Sequence, residues 1–392
     1  MTEQAAEQMH KFWEKQPVIS ENDENVIEGY IDQTIPVTSP PDQPAPLPKG
    51  FSWTNIDITN EIELKELHDF LYMHYIEDDD HKFRFHLSSP LLRWSLMIPG
   101  FFPNWIFGVR SPNKKLVGFI SGIPLDIRLH DTIEKWCAVD FLCVHSSLRS
   151  KNLASILIFE LARRVRIEHI YRAVFSGSNV PSKPFLSSAY VHRPINLKVL
   201  TESGFYYVEP GPKRSAAEKK FSVPRLAHIN IRPFTPSDSI AICNLLNEFN
   251  STKEFSIQFT PELVEQMFTP QQDVVYSYII PDNNSNPIGF YCFYIMNWTS
   301  LQEEKGVLTQ IKAAYSWYFA SKGIDLKLLF QDMVHSAAND AKVDIMNALQ
   351  MSAAGPALTS NKFMKGDKIL QFYSYNYAVS HISDENATLL FV

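Results

Sequence analysis

The residues with the most chemical potential lie in Val139-Asp-Phe-Leu-Cys-Val-His145, followed at once by Ser146-Ser-Leu-Arg-Ser-Lys-Asn-Leu-Ala154. Valine, phenylalanine, leucine and cysteine favour a buried strand. A helical pattern then runs from Ser155 to Ile167, with Ile156, Phe159, Ala162 (or Arg163) and Val165 at helical spacing. Between the two lies a short loop holding Arg149, Ser150, Lys151 and Asn152. The first N–H groups of a helix lack internal partners and stand at the positive end of its dipole. A strand, a basic loop and a helix start therefore suit a diphosphate such as that of coenzyme A. An ordinary crossover with a solvated basic loop has the same pattern. Cys143 sits in an apolar run with no base near it in sequence, which argues for a reduced core thiol rather than a nucleophile. The acidic run Glu77-Asp-Asp-Asp80 follows a helical segment, where acids oppose the helix dipole, and a solvated loop accounts for it.

These residues need elements to position them, and the pattern supplies the same set twice. Ile62 to Tyr75 reads as a helix with Leu64, Leu67, Leu71 and Tyr75 on one face. Strands follow at Trp105 to Val109 and Leu116 to Ile123, around Ser111-Pro-Asn113, and then at Trp136 to His145. The helix Ser155 to Ile167 and a strand at Tyr171 to Phe175 complete the first set. The second opens near Ile231-Arg-Pro233. It has helices capped near Asp238 or Ser237 and at Thr260-Pro261, strands at Val274 to Ile280, Ile288 to Ile295 and Lys312 to Ala320, a helix from Leu326 to Lys342, and a strand from Ile369 to Tyr377. The order helix, hairpin, strand, helix, strand thus occurs twice, which predicts an α+β fold of duplicated units of N-acetyltransferase-like type. Six prolines between Pro36 and Pro48 predict an extended arm. The expected division is an arm over residues 1–49, a first half over 50–225 and a second half over 226–392.

A chain of 392 residues, 45% hydrophobic and 13% aromatic, is long enough for a large core in two domains or one double domain. A net charge of −7 argues against nucleic acid as a partner. Cys137, Cys143, Cys243 and Cys292 are scattered or lie in apolar runs, as in a reducing, cytoplasmic compartment. The start, Met1-Thr-Glu-Gln-Ala, is not a signal peptide, and the apolar stretch from Pro90 to Val109 is broken by Arg93, Asn104 and three prolines, so no membrane span is expected. No metal site is expected.

The run Phe141-Leu-Cys-Val-His145 with Leu148-Arg-Ser-Lys151 resembles the first signature of the N-myristoyltransferases. Further matches extend along the chain: His10-Lys-Phe-Trp13, Gln16-Pro-Val18, Gly50-Phe-Ser-Trp53, Tyr75 with the acidic run, Phe83-Arg-Phe85, Lys115 to Ser121, Tyr190 with His192-Arg193, Lys312 to Ser316, Asn347-Ala-Leu349, Leu370 to Tyr373 and Tyr375-Asn376. The resemblance implies two N-acetyltransferase-like units in one saddle-shaped double domain with pseudo-two-fold symmetry, acting as a monomer. It implies transfer of a myristoyl group from myristoyl-CoA, the only cofactor-like group, to the α-amine of an N-terminal glycine on a peptide or nascent protein. The acyl donor would be held by Lys11, Phe12, Trp13, Phe141, Leu142, Cys143, Val144, Arg149, Ser150, Lys151, Asn152, Leu153 and Ala154. The peptide would meet Tyr75, Asp78, Asp80, Phe83, Arg84, Phe85, Tyr190, His192, Ser316 and Asp367. Backbone N–H groups of Phe141 and Leu142, freed by a strand bulge, would polarise the thioester, and the C-terminal carboxylate of Val392 would take a proton from the amine. From residues alone, a C-terminal strand that simply ends is the simpler account of Val392.

The chain departs from the family at several positions. Ala138, Val139 and Asp140 stand where the family has Glu, an aliphatic residue and Asn, and Asp140 brings a charge beside the reacting centre, as an extra base or an impediment to the oxyanion. Ser146 replaces a lysine and Asn152 an arginine. Ser176 keeps the hydroxyl of a usual threonine near the amine. In the second signature, Lys362-Phe-Met-Lys-Gly-Asp-Lys368 has lost two of three glycines, so strain is expected at Met364 and Lys368 if those positions need positive φ. A pseudoenzyme that binds acyl-CoA or glycine peptides without useful turnover, and an N-acetyltransferase-like enzyme with a shorter acyl donor, are the alternatives.

Overall fold

The computed structural model describes residues 12–76, 82–149, 151–177, 180, 182–301 and 309–391. The first unit runs β1 (Ser52–Asn55), α1 (Glu61–His74), α2 (Ser89–Leu96), β2 (Ile106–Arg110), β3 (Leu116–Leu129), β4 (Thr132–Val144), α3 (Leu153–Ile167), β5 (Ala173–Gly177) and β6 (Leu186–Pro194). The second runs β7 (Arg232–Pro233), α4 (Ser239–Asn250), β8 (Phe255–Ile257), α5 (Pro261–Phe268), β9 (Val275–Pro281), β10 (Pro287–Ile295), β11 (Ala313–Ser321), α6 (Leu326–Asn339), β12 (Ile345–Leu349) and β13 (Met364–Tyr375), with β14 (Ala387–Thr388) near the end of the chain. Local chemistry sets the helix starts. Asn60 accepts the N–H groups of Ile62 and Glu63 ahead of α1, and Thr260 caps α5 with Pro261 in the first turn.

The main sheet has the order β1-β2-β3-β4-β5-β13-β6-β12-β11-β10-β9-β7, with β8 beside the far end of β3 and β14 on β8. Within that order every pairing is antiparallel except β4/β5 and β11/β12, and each parallel pair is joined by a crossover helix, α3 or α6. The two units therefore repeat strand for strand. They also exchange their last strands: β13 of the second unit lies between β5 and β6, and β6 of the first lies between β12 and β13. This is the duplicated α+β arrangement expected from the pattern, and the exchange places a pseudo-two-fold relation at the β13/β6 pair. The strands β6 and β12 at this centre did not stand out in the sequence; both neighbours of β6, and one of the two neighbours of β12, are supplied by the other unit.

Three apolar cores cover the sheet. One large core spans both units, a second packs α6 on the second unit, and a third packs α3 on the first. The inward stripe of α3 is Leu153, Leu157, Leu161 and Val165, whereas Phe159 is 55% exposed. The expected inward face was thus wrong at Phe159: α3 is apolar on more than one side, and spacing alone does not choose between the stripes. Among the described residues no helix is long and apolar enough to cross a membrane, and all four cysteines are buried free thiols.

The proline arm docks on the outer side of α3. Glu160 is fully buried and takes the Ala45 N–H at 3.0 Å while pairing with Arg163 and Arg164 at 2.8 Å. Arg164 also donates to Asn55 and to the Asn104 carbonyl, and Arg166 donates to Thr38. Burial raises the Glu160 carboxyl, but the two guanidiniums and the Ala45 N–H outweigh it and hold it below the ordinary value. Removing one partner of such a pair strands the others in the interior. Glu160→Ala should therefore cost about 3–5 kcal/mol in denaturant unfolding and speed proteolysis within the arm; a change within 0.5 kcal/mol would show that solvent replaces the carboxylate.

Candidate active site

Strand β4 breaks its pairing with β3 at the expected place. Phe119 pairs with Cys143 and Ser121 with Asp140, so Ile120 alone faces both Phe141 and Leu142. Phe141 has φ 49°, a conformation that a bulky side chain adopts only under constraint. Its ring is 1% exposed and lies 5.9 Å from that of Tyr75. The bulged segment borders a cavity of about 830 Å³ lined by Phe12, Trp13, Tyr75, Asp140, Phe141, Leu142, Ala154 and Ser176, with Pro41, Pro44 and Pro46 of the arm and Phe159 of α3 also on its wall. Phe159 and the arm are lining residues that sequence reasoning missed; an exposed aromatic in an otherwise covered helix was the available signal.

Beyond the bulge the chain makes a short turn, where His145 accepts the Ser147 N–H and hydroxyl, and α3 begins. Asn152 precedes α3 at φ 61° and offers no side-chain cap. Asparagine tolerates this left-handed geometry, so its replacement of a basic residue suits the turn. The first N–H groups of α3 are left without a side-chain acceptor from the N-cap, which leaves them able to meet an anion. Arg149 donates to the carbonyls of His74 (2.5 Å) and Val144 (3.4 Å) and so clamps this turn to the end of α1. Lys151 is exposed, Leu153 is buried, and Cys143 and Val144 are buried in β4. Burial pushes the Cys143 thiol up to about 12, against the pull of Arg149, so it is not an activated nucleophile.

Asp140 sits where the site is most constrained. Its Oδ1 accepts the Phe141 N–H at 2.8 Å, while its carbonyl accepts the Ser121 hydroxyl. Its side chain lines both the large cavity and a narrow cavity of about 30 Å³ walled by Trp94, Ile123, Trp317, Leu390 and Phe391. Burial raises its carboxyl to about 7, only partly offset by the Phe141 N–H. Tyr75 and Tyr294 are driven well above the ordinary phenol value, by burial first and by the Asp140 charge among the lesser causes.

Around this centre stand the other expected residues. Trp13 stacks on Phe175 and Phe175 on Tyr373, next to Ser176. Phe83 and Phe85 pack on Trp298, and Arg84 lies over the Tyr72 ring at 5.5 Å. Tyr190 and His192 lie parallel on β6, and His192 Nδ1 meets Asn347 Oδ1 at 2.6 Å. Burial lowers His192, against the Asn347 hydrogen bond and the Asp367 charge. Ser316 faces Phe293 across β11/β10. Asp367 is exposed at the start of β13, away from the bulge's own strand. Lys11, Asp78, Asp80, Ser150 and Val392 lie outside the described residues.

The expected strain in the second signature does not occur. Met364 and Lys368 are not at positive φ, because β13 begins already at Met364 and absorbs the extra residues in a register shift between Lys365 and Ile369. Gly366 is the position that needs to be glycine: a Cβ there would come within 2.5 Å of His192 Nε2 and 3.0 Å of the Tyr190 carbonyl. The tail after β14, whose last residue the resemblance assigns as the base, is held by aromatic side chains of the second unit. The Leu390 carbonyl accepts from Trp317 Nε1 and the Tyr318 hydroxyl at 3.3 Å, and the Phe391 carbonyl accepts from the Tyr294 hydroxyl at 3.5 Å.

A cavity lined both by the bulged Phe141–Leu142 segment and by Ala154 and Ser155 at the start of α3 has the make-up of an acyltransferase site for a phosphate-bearing thioester. The comparisons with known proteins make this specific. The family described as myristoyl-CoA:protein N-myristoyltransferase matches residues 30–188 through its N-terminal domain and residues 202–389 through its C-terminal domain. The chain is 35% identical over 389 residues to glycylpeptide N-tetradecanoyltransferase of Schizosaccharomyces pombe, covering 94% of this chain and 83% of the relative. It is 34% identical to glycylpeptide N-tetradecanoyltransferase 1 of Arabidopsis thaliana, covering 94% and 86%. The crystal structure of Saccharomyces cerevisiae N-myristoyltransferase with bound myristoyl-CoA superposes with a TM-score of 0.91 at 29% identity, over 98% of this chain and 99% of that one. The chain belongs to the N-myristoyltransferase family.

The raised Asp140 carboxyl has a consequence for stability. Its folded value, about 7, lies above the ordinary 3.8, so the ligand-free fold binds a proton that the unfolded chain has already released. Stability should therefore fall as pH rises from about 4 through 7. Asp140→Asn removes this cost, which is at most about 4 kcal/mol and is reduced by water in the cavity. Thermal unfolding should show Asp140→Asn more stable than the parent at pH 8, with the difference closing near pH 4. A difference independent of pH would mean the carboxyl titrates normally.

Proposed function

We propose that this chain transfers a tetradecanoyl group from myristoyl-CoA to the α-amine of an N-terminal glycine. The observation that carries the reading is the bulge at Phe141–Leu142 on the wall of the 830 Å³ cavity, which supplies backbone donors where a thioester oxygen would develop charge. Membership of the family, with relatives named glycylpeptide N-tetradecanoyltransferases, supports the same reaction. Phe12, Trp13, the β4 end and the start of α3 would then hold the donor, the role the family motifs also assign to Lys11 and Ser150. The first half would carry the donor and the second half much of the peptide, with the boundary near residue 225. Tyr75, Tyr190, His192, Phe83 to Phe85, Ser316 and Asp367, together with Asp78 and Asp80, would face the peptide or the N-terminus of a nascent protein. A cytoplasmic, monomeric enzyme is in keeping with this.

Thioester aminolysis needs a polarised carbonyl, a neutral amine and alignment. Phe141 and Leu142 N–H groups would stabilise the oxyanion; losing one such donor costs about 3–4 kcal/mol of barrier. Ser176, on the cavity wall, would hydrogen-bond the amine. The carboxylate of Val392 would accept a proton, supported by the way Tyr294, Trp317 and Tyr318 hold the tail up to Phe391 inside the protein. The acyl chain would lie in the large cavity, with only its tip reaching the narrow apolar cavity that shares Asp140. One observation favours binding without turnover instead: the Asp140 carboxylate occupies the Phe141 N–H.

Single-turnover mixing of the protein and myristoyl-CoA with a glycine-ended peptide should give the N-tetradecanoyl peptide. Binding of both substrates with no product would leave the pseudoenzyme reading. The same assay on a chain extended beyond Val392 should show turnover reduced at least tenfold with donor affinity retained. Ile123→Phe should fill part of the narrow cavity and shift the preferred acyl chain about two carbons shorter, a change of roughly tenfold in relative kcat/KM. An unchanged chain-length profile would place the acyl group elsewhere.

A further inference from the structure

We propose that the Asp140 carboxylate receives the α-ammonium of the incoming glycine and takes the first of its two departing protons, and that this transfer releases the Phe141 N–H for the thioester oxygen. The inference rests on the transferase reading above. A peptide amine enters as an ammonium with three protons on nitrogen and ends as an amide with one. Two protons must therefore leave the nitrogen, and one acceptor at the end of the chain accounts for only one of them.

The geometry around Asp140 fits the other acceptor. It lines both cavities, so it stands where the donor meets the chain's tail. Among the described residues no cationic side chain pairs with it, and the influences on its carboxyl are burial and one backbone N–H. The groups that feel its charge are Tyr75 just beyond α1 and Tyr294 on β10; Cys143, three residues on along the same strand, interacts with Tyr75 and with Arg149. Burial raises both phenols and the thiol, so all three stay neutral through the working range and none competes for the proton. A half-buried carboxylate with no counter-ion is costly until a cation arrives. The substrate's ammonium is such a cation, and passing a proton from an amine of pKa near 8 to a carboxylate held at about 7 is uphill by only about tenfold, against roughly ten-thousandfold for an ordinary carboxylate of 3.8.

The Phe141 N–H couples the two events. A carboxylate is a stronger acceptor than a neutral carboxyl, and Oδ1 holds this N–H at 2.8 Å. When the ammonium proton moves to Asp140, the nitrogen keeps its electron pair and the carboxyl loses its charge. Its hold on the Phe141 N–H weakens at the moment the neutral amine attacks the thioester carbon. The C–N bond then forms, the oxyanion takes the freed donor, the second nitrogen proton goes to the chain's end, and the C–S bond breaks to release CoA thiolate.

The test is the pH dependence of single-turnover acylation from pH 5.5 to 9 for the parent and Asp140→Asn, with calorimetric binding of a glycine-ended peptide and of the same peptide lacking its amine. Without Asp140 the amine must lose its first proton in solvent, where about one in ten is neutral at pH 7. Asp140→Asn should therefore be slower at pH 7, by up to about tenfold, recover toward the parent as pH approaches 9, bind myristoyl-CoA normally and lose the preference for the free amine. An Asp140→Asn profile that superimposes on the parent, or a variant faster at every pH, would overturn the role of Asp140 while leaving the transferase reading intact. A parent protein that makes no product would overturn the transferase reading; if it still preferred the free amine and Asp140→Asn did not, the ammonium-binding half of the inference would stand.

Discussion

Phe141 is held at φ 49° in the middle of a strand whose neighbours are buried, and much of the molecule serves to keep it there. A bulky residue in this conformation costs on the order of 1–2 kcal/mol and relaxes unless its surroundings prevent it. Here β3 pairs with β4 on both sides of the bulge, so the ladder is fixed before and after the irregular residue. The ring is locked in the large core, which spans both units. Strain at one peptide is thus balanced against packing spread over the whole sheet, and the backbone donors it exposes cannot swing away without breaking that packing.

The exchange of β6 and β13 has a related effect. Had each unit kept its last strand, the two sheets would meet along a seam of loosely matched edges. The exchange instead hydrogen-bonds the units through the centre of one continuous sheet. Residues from both halves then reach the same space: Ser176 from β5, His192 from β6, Asn347 from β12 and Gly366 from β13 lie on adjacent strands. A site assembled this way is positioned by ladder geometry, which is stiffer than loop packing.

Asp140 shows the opposite balance. A carboxyl raised to about 7 by burial is a cost to the ligand-free fold. Such a cost persists where the local group serves the chemistry, and here it lies within hydrogen-bonding distance of the donor that the bulge exposes. The buried Glu160 is its contrast, since two guanidiniums and a backbone N–H satisfy it and it fastens the arm over α3. The two acids differ in partners rather than in residue type, and partners are a property of the fold.

Much of this was legible in the chain. Helix caps at Asn60 and Thr260, the apolar run of β4 and the helix behind it follow from local preferences, and local preferences act over a few residues. The duplication was visible because each unit repeats the same local order. The Phe141–Leu142 pair and Ser176 were singled out only through the quoted motifs, and the bulge at that pair is a matter of register with β3, about twenty residues away. Contacts between distant segments decided the rest. Leu157 rather than Phe159 faces the core because the sheet and the arm cover α3 from two sides. Met364 and Lys368 are unstrained because β13 is drawn in as a strand by β6. Asp140 is a raised acid rather than a surface carboxylate because the strands around it exclude water, and exclusion of water depends on what folds over a residue, which its own neighbours in sequence do not specify.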